Sequence, residues 1–192
     1  MPDSVSLARH AEQLAATYEA KYHGCAQCTL AGIQEALGIE DALLFRAATG
    51  LAAGGGLTTD GACGAYNGAV LAMSSVFGRR KDHIEGDHDA KYQGFDLARR
   101  LHNRFVDRYG TLQCRAIHQR TMGRDFDLWN EEDKAAFERA GAHTTHCPKV
   151  CGEAARWAVE LLLQEIERCG TNLEAVQEEF RSLRAGCNDQ DS

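Results

Sequence analysis

Apolar residues recur along nearly the whole chain at intervals of three and four, the spacing of one helix face, whereas strict alternation is hard to find. Only two prolines, Pro2 and Pro148, interrupt the 192 residues. The pattern predicts an all-α fold, a compact bundle of about seven to nine helices with a glycine-rich loop. A first helix is expected from Ser4 to about Tyr22, with Leu7, Ala11, Leu14 and Tyr18 inward, ending near Gly24. A second runs from Cys25 through Leu30, Ile33 and Leu37 to Gly38, and a third from Glu40 to about Thr49 carries Leu43, Leu44 and Ala47. Farther on, Asp87 to Tyr109 predicts a long amphipathic helix with Tyr92, Phe95, Leu97, Leu101, Phe105 and Val106 inward, closed by Gly110. A short helix follows Cys114. Gly123 to Trp129 reads as irregular, with Asp127 or Asn130 able to cap a helix through Phe137. Cys147-Pro148 opens the last long helix, whose apolar face is Ala154, Trp157, Ala158, Leu161 and Leu162; proline is tolerated in a first turn. A final helix covers Thr171 to about Leu183, and a flexible tail is expected over about 185–192.

Between the third and fourth helices lies Gly50 to Gly61, which contains five glycines and reads as a loop placed directly before Cys63. The helix after it, Gly64 to Phe77, sets Gly64, Ala65, Gly68, Ala69 and Ala72 on a stripe almost free of side chains. Either another helix or a cofactor could approach that stripe closely.

Length and charge narrow the picture. The chain suffices for one buried core, so residues 1–192 read as a single domain. A net charge of -7 opposes general affinity for nucleic acid or anionic lipid, and Arg79-Arg80-Lys81 and Arg99-Arg100 read as solvated faces. Met1-Pro2-Asp3-Ser4 has neither the basic stretch nor the apolar run of a signal peptide, and no segment has the length of a membrane span, so a cytoplasmic location is expected.

Eight cysteines exceed ordinary usage without approaching a secreted disulfide scaffold, and in a reducing compartment such a surplus points to metal binding or redox chemistry. Some serve as small hydrophobes, Cys169 and Cys187 first. Four stand where a helix begins: Cys25, Cys63, Cys114 and Cys147. Unpaired amides and the positive dipole end there favour thiolates, with pKa values of roughly 3.5–7.5 in strongly activated cases. Cys25 and Cys28 form a C-x-x-C pair, the layout of a dithiol redox site or half of a four-sulfur metal site. Cys147 and Cys151 share a helix face with His143 and His146 just ahead, a mixed nitrogen and sulfur set acceptable to zinc, although the spacing fits no zinc finger. A histidine such as His146 is more commonly a surface or capping residue. No catalytic triad, metalloprotease motif or phosphate loop stands out, and Glu131-Glu132-Asp133 reads as first-turn helix charge.

Tyr22-His23-Gly24-Cys25-Ala26-Gln27, then Gly54-Gly55-Gly56, Cys63-Gly64-Ala65-Tyr66-Asn67-Gly68-Ala69, Cys114 and Cys147-Pro148 together form a recognisable order. The chain resembles the bacterial C-GCAxxG-C-C family of redox-active proteins, related to the split-Soret cytochrome type domain. The likeness extends from about Tyr22 to Leu163 and includes a Phe77-Gly78-Arg79 turn. It implies that the four signature cysteines, Cys25, Cys63, Cys114 and Cys147, hold an iron–sulfur cluster, most simply of the 2Fe-2S type, with 4Fe-4S as the other form. Gly61, Ala62, Gly64, Ala65 and Gly68 are the expected cofactor-binding neighbours, Cys28, Cys151 and His146 secondary metal candidates. Cys28 and Cys151 depart from the pattern, and the segment Met122 to Thr145 is longer than the resemblance leads one to expect. Electron transfer with a redox partner protein follows; the alternatives are a thiol-disulfide oxidoreductase or sensor and a zinc-stabilised interaction module without turnover. A homodimer is compatible with exposed apolar stripes on a small helical domain.

Overall fold

The computed structural model describes residues 3–188, with side chains placed for 3–182. Among the described residues there are nine α-helices and no strand: α1 Ser4–Tyr22, α2 Cys25–Leu37, α3 Ala42–Ala47, α4 Gly64–Phe77, α5 His88–Tyr109, α6 Cys114–Met122, α7 Glu131–Arg139, α8 Cys147–Arg168 and α9 Leu173–Asn188. None of them is long and apolar enough to cross a membrane.

The Asp3 carboxylate accepts from the Ser6 amide at 2.7 Å and starts α1. The buried stripe of this helix is Ala8, Ala11, Ala15 and Glu19; of the expected face Ala11 belongs to it, whereas Leu7, Leu14 and Tyr18 are half-buried. The reason is distance. α1 lies against α2 and α8, and a Cβ on Gly32 of α2 would stand 2.6 Å from the Ala15 nitrogen, one on Gly152 of α8 2.9 Å from the Glu12 carbonyl. Contacts this close admit methyl-sized groups and push Leu7 and Leu14 to the partly buried flanks.

α2 meets α4 in the same way. A Cβ on Gly68 would fall 2.2 Å from the Ala26 carbonyl oxygen, so this part of the small-residue stripe serves helix packing. Gly64, Ala65, Gly68, Ala69 and Ala72 are all buried. α8 then crosses α1, α2, α4 and α5, burying Ala154, Trp157, Ala158, Leu161 and Leu162 as expected. A smaller cluster of Ala53, Cys114, Phe126, Leu128, Phe137 and Ala142 caps the end of the bundle where α2, α4, α6 and α8 begin. Asn130 supplies the α7 cap, accepting from the amides of Glu132 and Asp133 at 3.0 Å.

Several expectations are corrected. The third helix is shorter, and continues as a 3-10 segment over Ala48–Gly54 whose geometry breaks at Ala52 and Ala53; Leu43 and Ala47 are exposed. On α5 the inward stripe is Leu97, Leu101, Phe105 and Tyr109; at 100° per residue, Tyr92, Phe95 and Val106 turn away from it and are exposed. Cys169 is exposed rather than a core hydrophobe. The last helix runs to Asn188, past the expected end near Leu183 and into the expected tail. The rest of that tail, and the side chain of Cys187, lie outside the described residues.

Glu165 ties α8 to α5. Its buried carboxylate accepts from Gln93 Nε2 at 2.8 Å and from Arg100 at 3.4 Å, and Arg168 one turn on pairs with it as well. Arg168 first, with Gln93 and Arg100 assisting, holds its pKa below the usual carboxylate range. A depressed folded-state value makes this contribution complete above that range and progressively lost as pH falls through the folded value. Glu165→Gln is therefore expected to lower unfolding free energy by about 2 kcal/mol at pH 7, with the gap closing below about pH 4, as read from urea transitions across pH.

Candidate metal centre

All four signature cysteines stand at helix starts, as the sequence predicts: Cys25, Cys114 and Cys147 are the first residues of α2, α6 and α8, and Cys63 is the N-cap of α4. Backbone hydrogen bonds bring the middle two together. The Cys63 amide donates to the Leu112 carbonyl at 2.8 Å, the Cys114 amide to the Gly61 carbonyl at 3.0 Å, and Ala62 pairs with Gln113 in an isolated antiparallel bridge. Cys25 arrives with α2 through the α2–α4 contact. A Cβ on Gly64 would stand 2.3 Å from the Cys25 sulfur, so only glycine leaves that thiol its place. Cys147 follows a π-helical turn, Ala142–His146, and Pro148 sits without cost in the first turn of α8.

Cys25, Cys63, Cys114 and Cys147 line one cavity of about 190 Å³, with Leu57, Leu128 and Phe137 among its apolar lining. The described residues contain one set of three His, Cys, Asp or Glu ligand atoms within 4.8 Å of one another, and it holds no cysteine. The four sulfurs thus share a cavity without closing on one point. A tetrahedral ion with metal–sulfur bonds of about 2.3 Å would need sulfur separations near 3.8 Å.

Burial overrides the helix dipole. The expected low thiol pKa values are corrected: desolvation pushes all four upward, Cys63 to about 11, with the neighbouring thiols adding to the rise at Cys25, Cys114 and Cys147. Amides pull the other way. The Ala53 amide donates to the Cys25 sulfur at 3.4 Å, and those of Ala65 and Tyr66 favour the Cys63 thiolate. Without a bound cation these groups are neutral thiols at pH 7.

The expected amide donors around the glycine loop are used differently. The Gly61 amide donates to Gly54 and the Cys63 amide to Leu112, while a Cβ on Gly61 would meet the Gly54 carbonyl at 2.5 Å. Those glycines let the loop fold back on itself. Gly61, Ala62, Gly64, Ala65 and Gly68 stand outside the lining of the cavity. Of the secondary candidates, His146 and Cys151 line it, and the Cys151 thiol faces the Cys25 carbonyl at 3.8 Å. Cys28 does not line it; its thiol donates to the His23 carbonyl at 3.1 Å.

Two buried side chains at this site carry a weaker sequence signal. Glu19 is 2% exposed, lines the cavity, and is raised by desolvation to about 7. Its position at helical spacing after Ala8, Ala11 and Ala15 is the mark of an acid on a buried face. His118, one turn after Cys114, places Nε2 3.4 Å from the Cys114 sulfur, and burial lowers it to about 4, keeping it neutral.

Fold and site define a cysteine-rich, all-helical protein whose thiols converge from helix starts. The chain belongs to the family described as "Putative redox-active protein (C_GCAxxG_C_C)", which matches residues 22–161. No curated protein and no solved structure matches it.

Exposure and pKa together set reactivity, since the thiolate is the nucleophile. In reduced, metal-free protein at pH 8, Cys169→Ser is expected to remove one fast-reacting thiol from a DTNB time course, while Cys63→Ser and Cys114→Ser leave the fast phase unchanged. Loss of fast amplitude in Cys63→Ser would show that the cavity is open to reagent.

Proposed function

We propose that the protein is an electron-transfer protein that binds an iron–sulfur cluster through Cys25, Cys63, Cys114 and Cys147. The observation that carries this reading is the arrival of four thiols, each at a helix start, in one apolar cavity wider than a single ion requires. The donor set fits the group, because four cysteine thiolates are the ordinary ligands of such clusters. When bound, the cluster would supply a one-electron couple.

The chain's own residues provide the surroundings. Positive helix ends and the amides of Ala53, Ala65 and Tyr66 offset negative charge at the sulfurs, which favours the reduced state and raises the potential. The buried side chains of Leu128 and Phe137 keep part of the cavity wall apolar. Gly64 leaves room for the Cys25 sulfur. Because the metal-free thiols are protonated, loading must release protons and weaken as pH falls. The second electron carrier is a redox partner protein.

A zinc reading of the same four cysteines is less favoured by sulfurs that do not gather around one point, and a dithiol reading by the separate partners of the C-x-x-C pair: Cys25 faces Ala53, Cys28 faces His23.

Anaerobic reconstitution with iron and sulfide is expected to give a brown protein with a reducible paramagnetic signal. Cys63→Ser should abolish iron content and colour, Gly64→Ala should reduce both severalfold, and Cys169→Ser and the double change Cys28→Ser/Cys151→Ser should retain them. A colourless, iron-free protein after reconstitution would overturn the reading, as would equal iron loss in well-folded Cys63→Ser and Cys169→Ser.

A further inference from the structure

Beside the cysteines, at the same cavity, four side chains form a cluster that the electron-transfer reading does not use. His23, between α1 and α2, stacks on His143 with ring centroids 3.7 Å apart and planes 9° from parallel. His143 Nδ1 lies 2.6 Å from Glu138 Oε1, and ligand atoms of His23, Glu138 and His143 all fall within 4.8 Å of one another. From the protein side, Glu19 Oε1 stands 3.8 Å from His143 Nε2. The other oxygen of Glu19 is buried without a hydrogen-bond partner, on a residue 2% exposed. All four residues line the cavity.

A buried carboxylate oxygen left unpaired is costly, and a site that keeps one commonly serves a group that completes it. The backbone around it is also specialised. His23 holds φ +61° and ψ 173°, a conformation that favours glycine, and His143 rides on the π-helical turn. Two imidazoles and a carboxylate are the donor set of catalytic zinc sites and of non-haem ferrous sites with open positions. A carboxylate facing one ring nitrogen leaves the other directed to the metal, and Glu19 faces Nε2 while Nδ1 lies beside Glu138.

We propose that His23, Glu138 and His143 bind one divalent transition-metal ion of the zinc or ferrous type, with Glu19 as the residue that positions His143. Binding rotates the two stacked rings until one nitrogen of each converges on the ion, and His23 is on the exposed side of the pair. Three protein ligands leave a coordination position open on the cavity side for water or a small anion. Glu138 and His143 both belong to the long segment between the third and fourth signature cysteines, so the donors of this site are other than the sulfur ligands, although both sets open on one cavity.

The test is a titration of reduced, chelator-treated full-length protein with Zn²⁺ by calorimetry and with Co²⁺ by visible absorption at pH 7. A sulfur-to-cobalt charge-transfer band reports any ion held by cysteines, so the two sites are read apart. One ion is expected at a nitrogen and oxygen site. His23→Ala and Glu138→Gln, at exposed positions, should each weaken it at least tenfold, and Glu19→Gln by about 10- to 100-fold as an outer-shell change. His146→Ala should not weaken it. The proposal is overturned if wild-type protein binds no Co²⁺ outside the cysteines, or if His23→Ala and Glu138→Gln, with helical circular dichroism intact, bind as tightly as wild type.

Discussion

Contact between helices through residues that lack bulky side chains is the constraint on which the site depends. Gly32 meets Ala15, Gly68 meets Ala26, and Gly64 leaves the Cys25 sulfur its space; each of these places would be closed by one added carbon. Because α1, α2, α4 and α8 approach so closely, the starts of α2, α4 and α8 lie at one end of the bundle, and the α6 start is stitched beside them by the hydrogen bonds of Cys63 and Cys114. Sequence positions tens of residues apart thereby share one cavity. Larger residues at these contacts would lever the helices apart and separate the thiols before they altered any thiol directly.

Burial has two effects that pull against each other. It removes water from the sulfurs, which raises thiol pKa values and keeps the metal-free cavity electrically quiet despite four helix dipoles. It also makes any charge placed there sensitive to the few amides that point inward, since little solvent remains to screen it. A cavity of this type disfavours free thiolates and favours thiolates neutralised by metal. The same desolvation acts on Glu19 and His118, both of which are held towards their neutral forms.

Much of this was legible along the chain. The starts of α2, α4, α6 and α8, the bare stripe of α4 and the apolar face of α8 follow from spacing, glycine and proline, because those features act locally. The inward face of α1 did not follow, since hydrophobicity favours Leu7 and Leu14, whereas the distance to α2 and α8 selects alanine. The outward turn of Tyr92 and Phe95 on α5 likewise reflects which side the neighbours cover. Thiol acidity departs from the sequence expectation for a related reason: a helix start is visible in sequence, but its burial is a property of the assembled bundle. Glu19 and His118 left fainter traces, an acid on an alanine face and a histidine one turn after a cysteine.

The central claim is that Cys25, Cys63, Cys114 and Cys147 surround one iron-containing group, and anomalous diffraction at the iron absorption edge from crystals of anaerobically reconstituted protein tests it most directly. An anomalous peak enclosed by those four sulfurs is the predicted result. Iron bound elsewhere on the protein, with the four thiols lining a cavity that holds none, would contradict it.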